Sequence, residues 1–245
     1  MPFVLRARRL AALFGLWLGL LAAPVLADEP LRIGRNQGPT TLLTDVSVIV
    51  LQAAYARLGV EVRFEGYPLL RSLVLADAGT IDGDTMRIAE AGERYPNLLR
   101  VDVPINYLEI TAYARAPCPT LNSWDDLQGK RVTYERGVLA IERRVTGLAT
   151  FPTDTKPDLF RLLSRGMVDI AVGTGLETDV VLRHSPDKDR LCRVNGILER
   201  VPLYHYLHKR HAALVQRLQA QLQAMQRSGE IDAILRRERA RALAE

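Results

Sequence analysis

The chain has 245 residues, 48% of them hydrophobic, and a formal net charge of +5. That apolar content excludes a disordered chain and is enough for one large domain or two small lobes with separate cores. The positive charge is mostly terminal, in Arg6, Arg8 and Arg9 at one end and Arg236, Arg237, Arg239 and Arg241 at the other, so it gives no basic face of the kind that tracks nucleic acid.

Met1 to Ala27 reads as an export signal. It has a positive start, an apolar run from Leu10 to Leu21 broken only by glycines, and an end at Pro24-Val25-Leu26-Ala27 suited to cleavage. The run falls short of the roughly 20 residues a spanning anchor needs, and no Cys follows it to take a lipid. The expected product begins near Asp28 and is free in the periplasm, with no stable membrane insertion. There are two cysteines, Cys118 and Cys192. In an oxidising compartment they read as a disulfide, with a pair of buried thiols as the alternative.

From there, short β-rich runs alternate with helical ones, the pattern of parallel strands covered by helices. Leu31 to Gly34 is a strand and Arg35 to Thr41 a polar loop. Thr44 to Leu58 is a helix with Val46, Ile49, Val50, Ala53 and Ala54 on one face. Val60 to Phe64 is a strand, Tyr67 to Ala78 a helix and Ile81 to Asp84 a strand. Leu108 to Ala114 is strand-like, and Ser123-Trp124-Asp125-Asp126 offers the capping pattern of a short helix. Arg131 to Tyr134 is a strand, Val138 to Thr146 and Pro157 to Ser164 are helices, and Val168 to Val172 is a strand. Gly173-Thr174-Gly175 leads into a helix ending near His184, and Leu191 to Val194 is a strand. Lys209 to Ser228 is an amphipathic helix stopped by Gly229, and another begins at Ile231.

One phrase occurs twice. Leu75-Ala-Asp-Ala-Gly79-Thr-Ile81-Asp82 is echoed by Leu162-Leu-Ser-Arg-Gly166-Met-Val168-Asp169, each a helix closing on glycine before a β-branched residue and an acid that open a strand. Two lobes of similar build follow.

The ordered set comprises the export signal, the first strand, helix-Gly79-x-Ile-Asp82, Val103-Pro104, Asp126-Leu127-x-Gly129-Lys130-Arg131-Val132, the Gly137 turn, helix-Gly166-x-Val-Asp169, and a Tyr-rich return before a long C-terminal helix. It resembles the family 3 extracellular solute-binding proteins, the receptors of polar amino-acid ABC importers. The resemblance implies an α/β fold of two Rossmann-like lobes joined by two crossing strands, the type II-like arrangement of periplasmic binding proteins. The first lobe would be Asp28 to Thr111 with Leu203 to the C-terminus (28–111 plus 203–245), and the second Ala112 to Pro202 (112–202). It also implies a monomer that closes on a small molecule, with a membrane permease as partner, no nucleic acid and no cofactor.

Ligands of open α/β sheets lie at the carboxyl ends of the strands, which directs attention to the loops there. Asp84-Thr85-Met86-Arg87 resembles the family's Thr-x-x-Arg segment, whose Arg grips the ligand carboxylate, and a guanidinium fork suits that geometry. Asn36, Gln37, Thr40 and Thr41 can supply neutral hydrogen bonds. Tyr134, Gly137 and Val138 sit where a strand turns into a helix, whose free N–H groups attract anions. Tyr67 and Tyr107 are candidate aromatic walls or core residues. Receptors for α-amino acids carry an Asp after the second repeated phrase to pair with the ligand ammonium, where this chain has Thr174. The departure points to an anionic ligand that needs no cation partner, with Asp84 as a candidate substitute acid.

A dehydratase-like enzyme on the same scaffold is the rival reading, with Glu65, Glu109 and Glu135 as its candidate acids. A stand-alone receptor for a membrane sensor is the third. His205, His208 and His211 have a spacing that suggests zinc, but they run from strand into helix, so no metal site is expected.

Overall fold

A computed structural model describes residues 29–37 and 42–244. The expected export signal, Thr40 and Thr41 lie outside the described residues. In chain order the elements are β1 (Leu31–Asn36), α1 (Leu42–Leu58), β2 (Val62–Tyr67), α2 (Leu69–Asp77), β3 (Gly83–Arg87), α3 (Ala91–Arg94), β4 (Leu98–Arg115), β5 (Arg131–Tyr134), α4 (Leu139–Glu142), β6 (Ala149–Thr150), α5 (Lys156–Ser164), β7 (Ile170–Thr174), α6 (Gly175–Arg183), β8 (Leu191–Arg193), β9 (Glu199–His208), α7 (Ala212–Arg227) and α8 (Glu230–Ala244). Short 3₁₀ turns fill Trp124–Leu127 and Lys209–His211.

The strands run in the order β2-β1-β3-β9-β4-β7-β5-β6, with β8 paired to β4. β1 pairs in parallel with β2 and β3, and β5 in parallel with β6 and β7. Between these two groups lie β4 and β9, antiparallel to each other over most of their length. β4 serves both halves. Its Val101, Val103 and Ile105 join a core with Ile33, Leu51 and Leu222, while its Ile110 and Ala112 join another with Val132 and Val172. The architecture is therefore two α/β units joined by two crossing strands.

The repeated phrase explains why both halves fold alike. Asp82 donates its N–H to the Arg32 carbonyl at 2.7 Å, and its carboxylate accepts the Arg32 N–H at 2.8 Å. Asp169 makes the same pair of bonds to Arg131, both at 2.9 Å. Each acid thus pins the strand after its helix to the first strand of its own half. The preceding Gly79 and Gly166 have φ of 71° and 70°, the left-handed turn that a side chain resists. Ile81 and Val168, one residue before each acid, are fully buried.

α1 is buried nearly all round, with Val46, Val48, Val50, Leu51, Ala54 and Tyr55 in the core, because α7 and α8 cover it on the side away from the sheet. α2 lies close on β1. A Cβ on Gly34 would come within 2.0 Å of Ser72 Oγ, so only glycine admits the helix there.

Two expectations are corrected. The strand expected at Leu108 to Ala114 is the last part of β4, whose first half alternates polar and apolar residues and carries Pro104, where its register against β9 shifts. The helix expected over Val138 to Thr146 forms only at Leu139–Glu142; beyond it the bonds from Arg144 N–H to the Ile141 carbonyl at 2.9 Å and from Leu148 N–H to the Val145 carbonyl at 3.1 Å are single turns, and Gly147 reverses the chain with φ of 89°. The cysteines are joined, with Cα atoms of Cys118 and Cys192 6.1 Å apart. No helix among the described residues is long and apolar enough to cross a membrane.

Candidate functional site

The carboxyl ends of β1 and β3 and the start of α1 form one half of the site; those of β5 and β7 and the start of α6 form the other. On the first half, Asn36 closes β1 opposite Tyr67, and Gln37 donates its N–H to the Tyr67 carbonyl at 2.9 Å. The Tyr67 hydroxyl donates to Glu65 Oε2 at 2.5 Å and accepts from Arg32 at 3.4 Å, so it is committed on the outer side of β2. Thr85 is buried, its hydroxyl spent on the Gly34 carbonyl at 2.7 Å.

Arg87 does not present a free fork. Its Nη2 donates to Asp84 Oδ2 at 2.7 Å and to the Leu69 carbonyl at 3.0 Å, and its Nη1 to the Met86 carbonyl at 2.6 Å. Asp84 is wholly buried and also accepts from Ser72 Oγ at 2.5 Å. Burial pushes the Asp84 carboxyl above the ordinary aspartate value, opposed by the Arg87 charge. Arg87 and Asp84 therefore pair with each other beneath the first turn of α2. One atom of each, Arg87 Nε and Asp84 Oδ1, is buried without a hydrogen-bond partner among the described residues.

On the second half, Thr174 precedes α6, and the carboxylate that the sequence reading missed stands one turn on. Glu177 is buried, and its Oε1 accepts the Leu43 N–H in the first turn of α1 at 3.4 Å, linking the two halves of the molecule. Desolvation raises its pKa; N–H donors, Lys156 and Thr174 oppose the shift. Thr174-x-x-Glu177 is a capping-box spacing, and that was the signal by which the sequence could have exposed it. Lys156, also buried, donates to Glu135 Oε2 at 2.5 Å at the end of β5. Tyr134 and Val138 pack against the second core, and the Gly137 N–H is taken by Glu142. Tyr107 lies in the crossing strand β4, with the Arg200 guanidinium 3.7 Å over its ring. Four of these groups are answered by protein carboxylates: Arg87 by Asp84, Lys156 by Glu135, the α1 start by Glu177 and the Gly137 turn before α4 by Glu142.

The remaining candidates separate. Glu65 pairs with Arg32 at 2.8 Å, and Glu109 with Arg239 at 2.9 Å. The three histidines do not share a face. His211 lies 2.6 Å from Asp82, His208 caps the turn that follows it, and His205 is wholly buried. His205 Nδ1 donates to the Asp84 carbonyl at 2.8 Å, and its Nε2 accepts from the Tyr55 hydroxyl at 2.8 Å.

Burial lowers the His205 pKa to about 4. Unfolded, this residue takes a proton near its ordinary pH of about 6.5, and the native one does not until about 4, so stability falls as pH drops through that window. The expected loss is about 3 kcal/mol, read as the difference in pH dependence of urea unfolding between the wild type and His205→Gln.

The fold and these facing strand ends define the class: a type II-like periplasmic-binding-protein fold. No family model matches the chain. An uncharacterised protein of Shewanella oneidensis is 26% identical over 187 residues, covering 74% of this chain and 71% of that protein. The probable amino-acid ABC transporter extracellular-binding protein YtmK of Bacillus subtilis superimposes with a TM-score of 0.68 at 18% identity, over 84% of this chain and 96% of that one. The GluR0 ligand-binding core in complex with L-glutamate gives 0.66 at 15% identity, over 85% and 97%. A histidine kinase sensor domain with similarity to periplasmic binding proteins gives 0.60 at 18% identity, over 85% and 95%. At these identities the likeness establishes the fold, consistent with the family 3 resemblance.

Proposed function

We propose that the chain is an exported solute-binding protein whose lobes, 28–111 with 203–245 and 112–202, close on a small carboxylate-bearing ligand for delivery to the membrane permease of an ABC importer. The observation that carries this reading is the Glu177 carboxylate at the first turn of α1, 3.4 Å from the Leu43 N–H across the two halves. A helix start attracts anions, and here an anionic side chain of the opposite lobe occupies one. Beside it, Thr44 Oγ1 is buried with no partner among the described residues, leaving a further polar group at the same place. A ligand carboxylate displaces Glu177 from α1, and closure follows because the ligand binds the closed arrangement better than the open one.

The test is a thermal-shift screen of amino acids, dicarboxylates, aromatic acids and phosphorylated metabolites, followed by calorimetry on the best binder. A ligand at a hundred times its Kd adds about 2.7 kcal/mol to folding stability. Glu177→Gln removes a like charge from the ligand's place, so it should bind the anionic ligand on the order of tenfold tighter, about 1.4 kcal/mol. Weaker binding, confined to ligands with an ammonium group, would show that Glu177 pairs with a cation and would overturn the anionic reading.

A further inference from the structure

α8 belongs to one half of the molecule at its start and touches the other near its end. Ile231 and Ile234 lie in the first core with Ile33 and Leu51, and Glu230 pairs with Arg57 of α1 at 2.7 Å. Further along, Arg239 leaves that core. Its Nη1 donates to Glu109 Oε2 on the crossing strand β4 at 2.9 Å, and its Nη2 to Asp179 Oδ2 on α6 of the second half at 2.8 Å. We infer that α8 is a strap between the halves, and that Arg239 sets the balance between the arrangement in which they meet and one in which they stand apart. The inference rests on the proposed closure of the lobes and adds to it the residue that biases closure.

The acceptor on the second half is fixed by its own neighbours. Asp179 accepts from the Tyr113 hydroxyl at 2.7 Å and from Arg193 of β8 at 2.6 Å. Arg193 also lies 3.6 Å from Glu109, so Arg193 and Arg239 each span the same two carboxylates. Arg193 moves with the second half, because β8 pairs with the last part of β4. Arg239 is the one of the two that comes from the helix rooted in the first half. Asp179 and Glu109 are 11% and 19% exposed, so salt screens these pairs less than it does pairs on a solvated helix face. A planar guanidinium fork can hold two acceptors at once in fixed geometry, which a lysine point charge does not.

The direction of the bias follows from what else joins the halves. Glu177 on α6 accepts the Leu43 N–H of α1 at 3.4 Å, and α8 packs on both α1 and α6. A rotation about β4 and β9 that parts α1 from α6 also draws the end of α8 away from Asp179. The strap therefore favours the arrangement in which the halves meet. Breaking it enlarges the population with the lobes apart, and a ligand held between the lobes then binds more weakly as the competent fraction falls.

Spin labels at Val74 and Phe151, exposed on α2 and just after β6, report the gap between the halves without ligand, with the Cys118–Cys192 bridge left oxidised. β2 and β6 are the strands farthest from the crossing, so the labels that follow them swing widest. Arg239→Ala should raise the share of long label distances on the order of tenfold, within the usual range of coupling between sites. Arg239→Lys should raise it less, and Arg237→Ala, whose ion pair is with Glu238 on the same helix, should match wild type. Hydrogen exchange in Arg239→Ala should rise in the last turns of α8 and stay at the wild-type level in α1 and α7. An unchanged distance distribution in Arg239→Ala overturns the inference. So does exchange that rises in α1 and α7 as well, which would make Arg239 a support of the whole fold and not a strap. Because no ligand enters the measurement, either result leaves the ligand reading to its own thermal-shift screen, and failure of that screen leaves the strap standing.

Discussion

Arg87→Ala should lower the free energy of unfolding by about 3–5 kcal/mol at neutral pH, the cost of stranding a buried charge. Asp84 has no exposed surface, and Arg87 is the cation that balances it. Ser72 supplies a hydroxyl but no charge. The loss should shrink as pH falls, because protonation of Asp84, already favoured by burial, removes the uncompensated charge. Arg87→Gln combined with Asp84→Asn should recover most of the stability, since both charges leave together and polar atoms remain to satisfy each other. Urea midpoints for the two singles and the double variant complete the cycle. A residue that only grips ligand behaves otherwise: its removal abolishes binding and leaves the midpoint within about 0.5 kcal/mol. A midpoint unchanged in Arg87→Ala would return Arg87 to the ligand.

The repeated phrase was legible because it is written in local chemistry: a glycine that must take positive φ, a buried β-branched residue, and an acid that caps the neighbouring strand. The paired bonds of Asp82 to Arg32 and Asp169 to Arg131 show that the spacing encodes a real structural unit. What the sequence hid depends on long-range partners. Arg87 looks the same in a one-dimensional reading whether its fork meets a ligand or Asp84 and the Leu69 carbonyl, 18 residues earlier. Glu177 stands one helical turn past Thr174, the position the family resemblance singles out, and its partner Leu43 is 134 residues away. The first half of β4 escaped because Pro104 and alternating polar residues weaken its strand signal, although pairing with β9 holds it.

Reducing the Cys118–Cys192 bridge, or replacing both residues with alanine, should cost about 4 kcal/mol in the chain-entropy account, since the bridge closes a loop with a sequence separation of 74. The position decides how that loss is distributed. Cys118 follows β4 as it leaves the crossing, and Cys192 lies on β8, paired beside Ala114 of β4. The closed loop thus contains β5 to β7 and α4 to α6, which form the second half of the cleft, and none of α1, α7 or α8. Hydrogen exchange in the double variant should therefore rise in the peptides of β5, β7 and α6 and stay near wild type in α1 and α7. Because β5, β7 and α6 build the second half of the cleft, the same loosening should weaken cleft binding even though neither cysteine lines it. If exchange rises equally in both halves, the bridge supports the whole fold and not the second lobe. If the midpoint moves by less than about 1 kcal/mol, the pairing of β8 with β4 already supplies the constraint, and the loop entropy is spent before the bridge forms.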